Sequence, residues 1–158
     1  KKLSGNIEQL LEDEDIARDT RVAFMHFPMH QACNATELKK NMHKFACSAA
    51  ASSVCAQEQG KFWPMHDIMF KNAKQLGRES LEKYAKEAGL DMAKFKKALD
   101  DRTYKGQVEA DMKLGASVGV GGTPTMFVGR KRVANPTAAA PVAKMIDAEL
   151  AAAGVAAP

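Results

Sequence analysis

The five residues Gly122-Thr-Pro-Thr-Met126 constrain this chain more than any other stretch, because they set a proline where a β-strand is due to begin. Proline cannot donate to a ladder, so within sheets it is held to strand starts, edges and bulges. Thr123 is pushed toward extended geometry, and the bond it makes to Pro124 is of the one type at which a cis peptide costs only about 0.5–1 kcal/mol. The apolar run 125–128 reads as a buried strand, with Gly119-Val-Gly-Gly122 behind it and Gly129-Arg-Lys-Arg132 as a turn ahead. Residues 131–134 then supply the second arm of a short hairpin. On local sequence alone a trans proline opening the strand is one reading of the Thr123–Pro124 bond and the cis form the other, and the order of the surrounding elements decides between them.

Most other apolar residues recur at helical spacing. Leu3, Ile7, Leu10 and Leu11 fall on one face, with Glu8, Glu12, Asp13 and Glu14 on the other. The stretch 43–59 is rich in Ala and Ser, which permits close approach of a neighbouring helix, and Gly60 stops it. Pro64 suits the first turn of the following helix, which predicts an extended Trp63. Phe62, Trp63, Ile68, Met69 and Phe70 read as core, and the nine methionines as space fillers. Helices are expected over 78–88 and 91–99, divided by Gly89, then over 104–118 and 138–153. In the last of these Pro141 sits in the first turn, and Val142, Met145, Ile146 and Leu150 form an inner stripe. Residues 21–27, Arg-Val-Ala-Phe-Met-His-Phe, are the strand candidate outside the hairpin.

A helical stretch, a Gly-Thr-Pro loop, a short hairpin and a final helix, in that order, resemble the C-terminal half of a thioredoxin fold. The segment 55–70, CAQEQGKFWPMHDIMF, is similar to a helix junction of the DsbA-like thiol–disulfide oxidoreductases. The resemblance covers nearly all 158 residues. It implies an α/β, thioredoxin-like fold with a helical insertion, here about 43–118, within one domain over 1–158. It also implies a substrate groove shaped by Thr123, Pro124 and Thr125 and facing a Cys-x-x-Cys at the start of the first helix.

That motif is absent from the chain. The first helical pattern opens at Lys1 with no Ser, Thr, Asp or Asn before it to cap its amides. The resemblance therefore places the N-terminal strands and the redox motif upstream of Lys1; the alternative is a shorter helix capped by Ser4. Three strand candidates make a thin sheet, and an open edge on 21–27 would leave backbone groups unpaired.

A chain of 158 residues can bury a proper core, and 46% hydrophobic with 27% charged residues is ordinary globular composition. No apolar run approaches the ~18 residues of a membrane span. The net charge of +4 raises nucleic acid as a partner. Lys and Arg are nevertheless interspersed with acids, as in Glu82-Lys-Tyr-Ala-Lys-Glu87, and only Arg130-Lys-Arg132 forms a basic knot. No basic stripe of the kind that binds nucleic acid results, so none is expected as a partner.

Three cysteines are present, at 33, 47 and 55. On one helix Cys47 and Cys55 stand about 12 Å apart along the axis, beyond the ~7 Å reach of a disulfide. Any internal bridge must then use Cys33. Cys33–Cys47 is the favoured pairing, because the Cys33 loop leads into the first turns of the helix that carries Cys47. Closing that loop of roughly 15 residues contributes on the order of 3 kcal/mol, and Cys55 is left as a buried thiol. The rival is a zinc site built from His30, Cys33, His43 and Cys47, whose types and spacings suit the metal. The extracytoplasmic setting implied by the resemblance favours the disulfide, and no metal or cofactor is expected. His26 and His66 read as structural histidines.

The function implied by the resemblance is protein thiol–disulfide exchange on exported proteins, through a mixed disulfide at a cysteine upstream of Lys1. It brings with it cysteine-containing substrates, a partner that recycles the dithiol, and a periplasmic or otherwise extracytoplasmic location. Two alternatives remain: a non-catalytic thioredoxin-like peptide-binding domain, and a glutathione-dependent isomerase or transferase of the same fold.

Overall fold

The computed structural model describes residues 2–34 and 42–155. They form two compact units: residues 2–24 with 122–155, and residues 25–34 with 42–121.

The first unit holds helix α1 (Lys2–Leu10), the short helix α2 (Glu14–Asp19), the hairpin β1 (Phe127–Val128) and β2 (Lys131–Arg132), and the terminal helix α8 (Ala139–Ala152). Lys1, where the sequence pattern opens, lies outside the described residues. The acidic run after α1 starts a new helix, because the Asp13 carboxylate accepts the Ile16 amide at 3.1 Å in the manner of an N-cap. Leu11, expected on the inner face of the first helix, falls between the two and is exposed. α8 packs against α1 and β1, with Val142 its most buried residue. Met145, Ile146 and Leu150 are half-buried along the same helix.

The hairpin pairs Phe127 with Arg132 and Val128 with Lys131, antiparallel. Gly129 takes the positive φ of 56° that the two-residue turn demands. The run 125–128, expected to be buried, is not: Phe127 is exposed and Thr125, Met126 and Val128 are half-buried. A two-residue strand pairing on one side has too little cover to enclose its residues.

The second unit is helical. α3 (Ala46–Gln57) is its centre, touching α4 (Phe62–Lys71), α5 (Arg78–Glu87), α6 (Met92–Asp101) and α7 (Lys105–Ser117). Its alanines and serines make this possible, since six consecutive residues from Ala51 to Ala56 are all buried. Phe95, Met65 and Leu81 are fully enclosed against Cys55 and Ala56. Gly60, Gly89 and Gly119 terminate helices with φ of 67°, 76° and 74°. Asp91 caps α6 by accepting the amides of Ala93 and Lys94.

Two expectations fail here. Residues 21–27 form no strand, and the only sheet among the described residues is the hairpin. A strand exists only with a partner; here the amide of His26 is taken by a side chain instead, as shown below. Trp63 is neither extended nor core. It is the second residue of α4 and 45% exposed. Pro64 stands third in that helix, within the first turn, where its missing N–H would have had no intrahelical acceptor in any case. Met65, His66 and Met69 face inward instead, with Phe62, Ile68 and Phe70 half-buried.

Candidate functional site

The proline loop belongs to the first unit. The Thr123–Pro124 peptide is cis, and both residues are exposed. Thr125 folds its hydroxyl back onto the carbonyl of Gly122 at 2.8 Å, closing the loop across the proline. Behind it the Val133 amide donates to the Met126 carbonyl at 2.9 Å, extending the hairpin toward the loop. Lys131 is engaged by Glu149 of α8 at 2.7 Å. A β-carbon on Gly129 would overlap the carboxylate of that same glutamate, so a side chain there would require the Glu149 side chain to swing away. The result is a pinned loop that offers Thr123 and Pro124 to solvent.

The cysteines lie in the second unit. Cys33 and Cys47 are joined in a disulfide with Cα atoms 5.8 Å apart, and both are half-buried. With both sulfurs bonded, neither is a thiolate available to zinc. No group of three or more metal-ligating side chains gathers among the described residues. His30 instead accepts the Ala32 amide through Nδ1 at 3.1 Å. Cys55 is 1% exposed on α3, and burial pushes its thiol up to about 11, which leaves it protonated and unreactive.

Sequence reading passed over Asp111. This carboxylate on α7 is 3% exposed, and it accepts the His26 backbone amide at 2.8 Å and Gln107 Nε2 at 2.6 Å. It gives the strandless segment around His26 a fixed attachment to α7. Burial lowers the His26 pKa, while the charge of Asp111 works in the opposite direction. The available signal was an acid between Val108 and Met112, both buried on the same helix. His66, also buried, pairs with Asp67 at 2.8 Å and stacks in a ring cluster with Phe62, Trp63 and Phe70.

The family described as the DSBA-like thioredoxin domain matches residues 7–145, and this chain belongs to it. Among curated proteins it is similar to the Na(+)/H(+) antiporter NhaA of Herminiimonas arsenicoxydans, 36% identical over 67% of this chain and 17% of that protein. It is also similar to the Na(+)/H(+) antiporter NhaA 3 of Salinispora tropica, 35% identical over 61% of this chain and 15% of that protein. NhaA 1 of Mycolicibacterium gilvum is 29% identical over 82% of this chain and 20% of its own length. The chain thus spans a fifth or less of the length of these relatives, and the antiporter name belongs to proteins most of whose length it does not match. No solved structure matches it. No described helix is long and apolar enough to cross a membrane.

Proposed function

We propose that this domain serves protein thiol–disulfide exchange outside the cytoplasm, and that Thr123, Pro124 and Thr125 form the surface on which the substrate chain is laid. The observation that carries the reading is the exposed cis Thr123–Pro124 loop in a chain whose family match runs from residue 7 to 145. An extended substrate backbone can align beside such a loop, since its residues have spent few of their hydrogen-bonding groups on a ladder.

The nucleophile is the part that these 158 residues do not hold, for they contain no Cys-x-x-Cys. In this reading the pair lies in sequence on the N-terminal side of Lys1, at the start of the α1 helix. There the free amides and helix dipole stabilise a thiolate. The thiolate attacks a substrate disulfide, or the oxidised pair is attacked by a substrate thiolate, and a mixed disulfide is the intermediate in both directions. A redox partner returns the pair to its starting state. The transport activity of the antiporter relatives is not part of this proposal.

The test is capture of a cysteine-containing peptide by the natural protein with whatever sequence flanks these residues. The expected result is a trapped mixed disulfide that Thr123→Lys weakens by about tenfold, since a bulky charge then stands on the loop. No capture by the natural protein overturns the oxidoreductase reading. The absence of Cys-x-x-Cys favours one second reading, a domain that binds peptides on the same loop without exchange. Peptide binding that survives removal of every upstream cysteine and yields no covalent product is its signature.

A further inference from the structure

The Cys33–Cys47 bridge is asymmetric. Cys47 is the second residue of α3, a helix of 12 residues whose N-cap position is held by Phe45, with no side-chain bond to the free amides. The first turn carries no acidic residue, and exposed Lys44 lies just ahead of it. The Ala46 amide donates to the His43 carbonyl at 3.0 Å, and a sulfur at Cys47 sees the remaining first-turn N–H groups and the positive end of the helix dipole, both of which stabilise a thiolate. Cys33 belongs to the turn at 31–33, with no helix of its own. Its sulfur lies 3.8 Å from the carbonyl oxygen of His30, a neighbour that does not favour negative charge. Both cysteines are half-buried, whereas Cys55 is 1% exposed.

We propose that Cys33–Cys47 is itself an exchangeable redox pair, opened by a dithiol that attacks Cys33 and expels Cys47 as the leaving thiolate. The inference stands apart from the proline-loop reading, because it uses only residues of the helical unit. In the first step a donor thiolate forms a bond to Cys33 Sγ, the Cys33–Cys47 bond breaks, and its electron pair goes to Cys47 Sγ. In the second step the donor's other thiolate attacks the donor sulfur of that mixed disulfide. Cys33 leaves as a thiolate, and Cys33 and Cys47 each take up one of the two protons that the donor dithiol gave up. The donor dithiol is oxidised to a disulfide, and the pair gains two electrons as two thiols. Closing the loop favours the bonded form; the helix terminus acts on the other side of the exchange, on the sulfur that leaves.

The three cysteines of the chain make the test direct. The folded protein is exposed to reduced glutathione, the products are trapped with N-ethylmaleimide, and the modified cysteines are located by peptide mass. The expected product carries glutathione on Cys33 and maleimide on Cys47, in about tenfold excess over the reverse arrangement, with Cys55 unmodified. Phe45→Asp adds a carboxylate and a cap acceptor at the helix start, and it is expected to bring that ratio toward one with the helical circular dichroism retained. Lys44→Glu, at an exposed position, shifts the ratio the same way by charge alone and keeps the test open should Phe45→Asp fail to fold. Equal amounts of the two products in the wild type, or a bridge that opens only in denaturant, overturns the proposal. So does a ratio unchanged in the folded variants.

Discussion

Replacing Asp111 by alanine tests what holds the strandless segment in place. The carboxylate accepts two hydrogen bonds, from the His26 amide at 2.8 Å and from Gln107 at 2.6 Å. Gln107 is exposed, so its amide returns to water at little loss. The His26 amide is enclosed with a residue that is 4% exposed, and removing its acceptor costs about 1–3 kcal/mol. With the loss of charge assistance, the expected destabilisation is about 2–3 kcal/mol, a fall in melting temperature of roughly 4–12 °C for a chain of this size. Asp111→Asn keeps a carbonyl oxygen for His26 and is expected to lose only about 1 kcal/mol. Urea unfolding of the three proteins at pH 7.5 measures both differences. An alanine variant within 0.5 kcal/mol of wild type, or an asparagine variant as damaged as alanine, refutes the attachment described above.

Phe95→Ala empties a fully enclosed ring position in the helical unit and is expected to cost about 3–5 kcal/mol in urea unfolding, with less than 1.5 kcal/mol for Phe95→Leu. Asp91→Ala removes the acceptor for the Ala93 and Lys94 amides, for a loss of about 1 kcal/mol measured the same way. Burial lowers the His26 pKa below its ordinary 6.5, so the unfolded chain takes up that proton first. The His26 contribution is then flat above about pH 6.5 and is lost as pH falls toward the folded-state value; a difference curve between wild type and His26→Asn that stays level from pH 7.5 to 5 contradicts this.

The helices were legible because their ends are written in single residues. Gly89 with φ of 76° and Asp91 as a cap separate α5 from α6, and Gly119 with φ of 74° ends α7, each where the sequence placed a boundary. Helix geometry excluded only a Cys47–Cys55 bond, because eight residues of helix keep the two apart; Cys33–Cys47, the pair the structure joins, was favoured because the Cys33 loop leads into the start of that helix. The segment 21–27 misled because its aromatic and aliphatic pattern reports strand propensity, whereas a strand also needs a neighbour that a local pattern cannot supply. Trp63 misled because a proline restrains the residue before it only on average, and α4 begins one residue earlier. Asp111 was invisible because its role depends on a partner 85 positions away in sequence.

The central claim is that this family member performs dithiol chemistry with a cysteine pair outside these 158 residues. Intact mass of the natural protein, before and after reduction and thiol alkylation, addresses it most directly. The expected result is a mass above that of the 158 residues and two alkylated cysteines beyond the three at 33, 47 and 55. A natural protein of only these residues, with three alkylated cysteines after reduction, contradicts it.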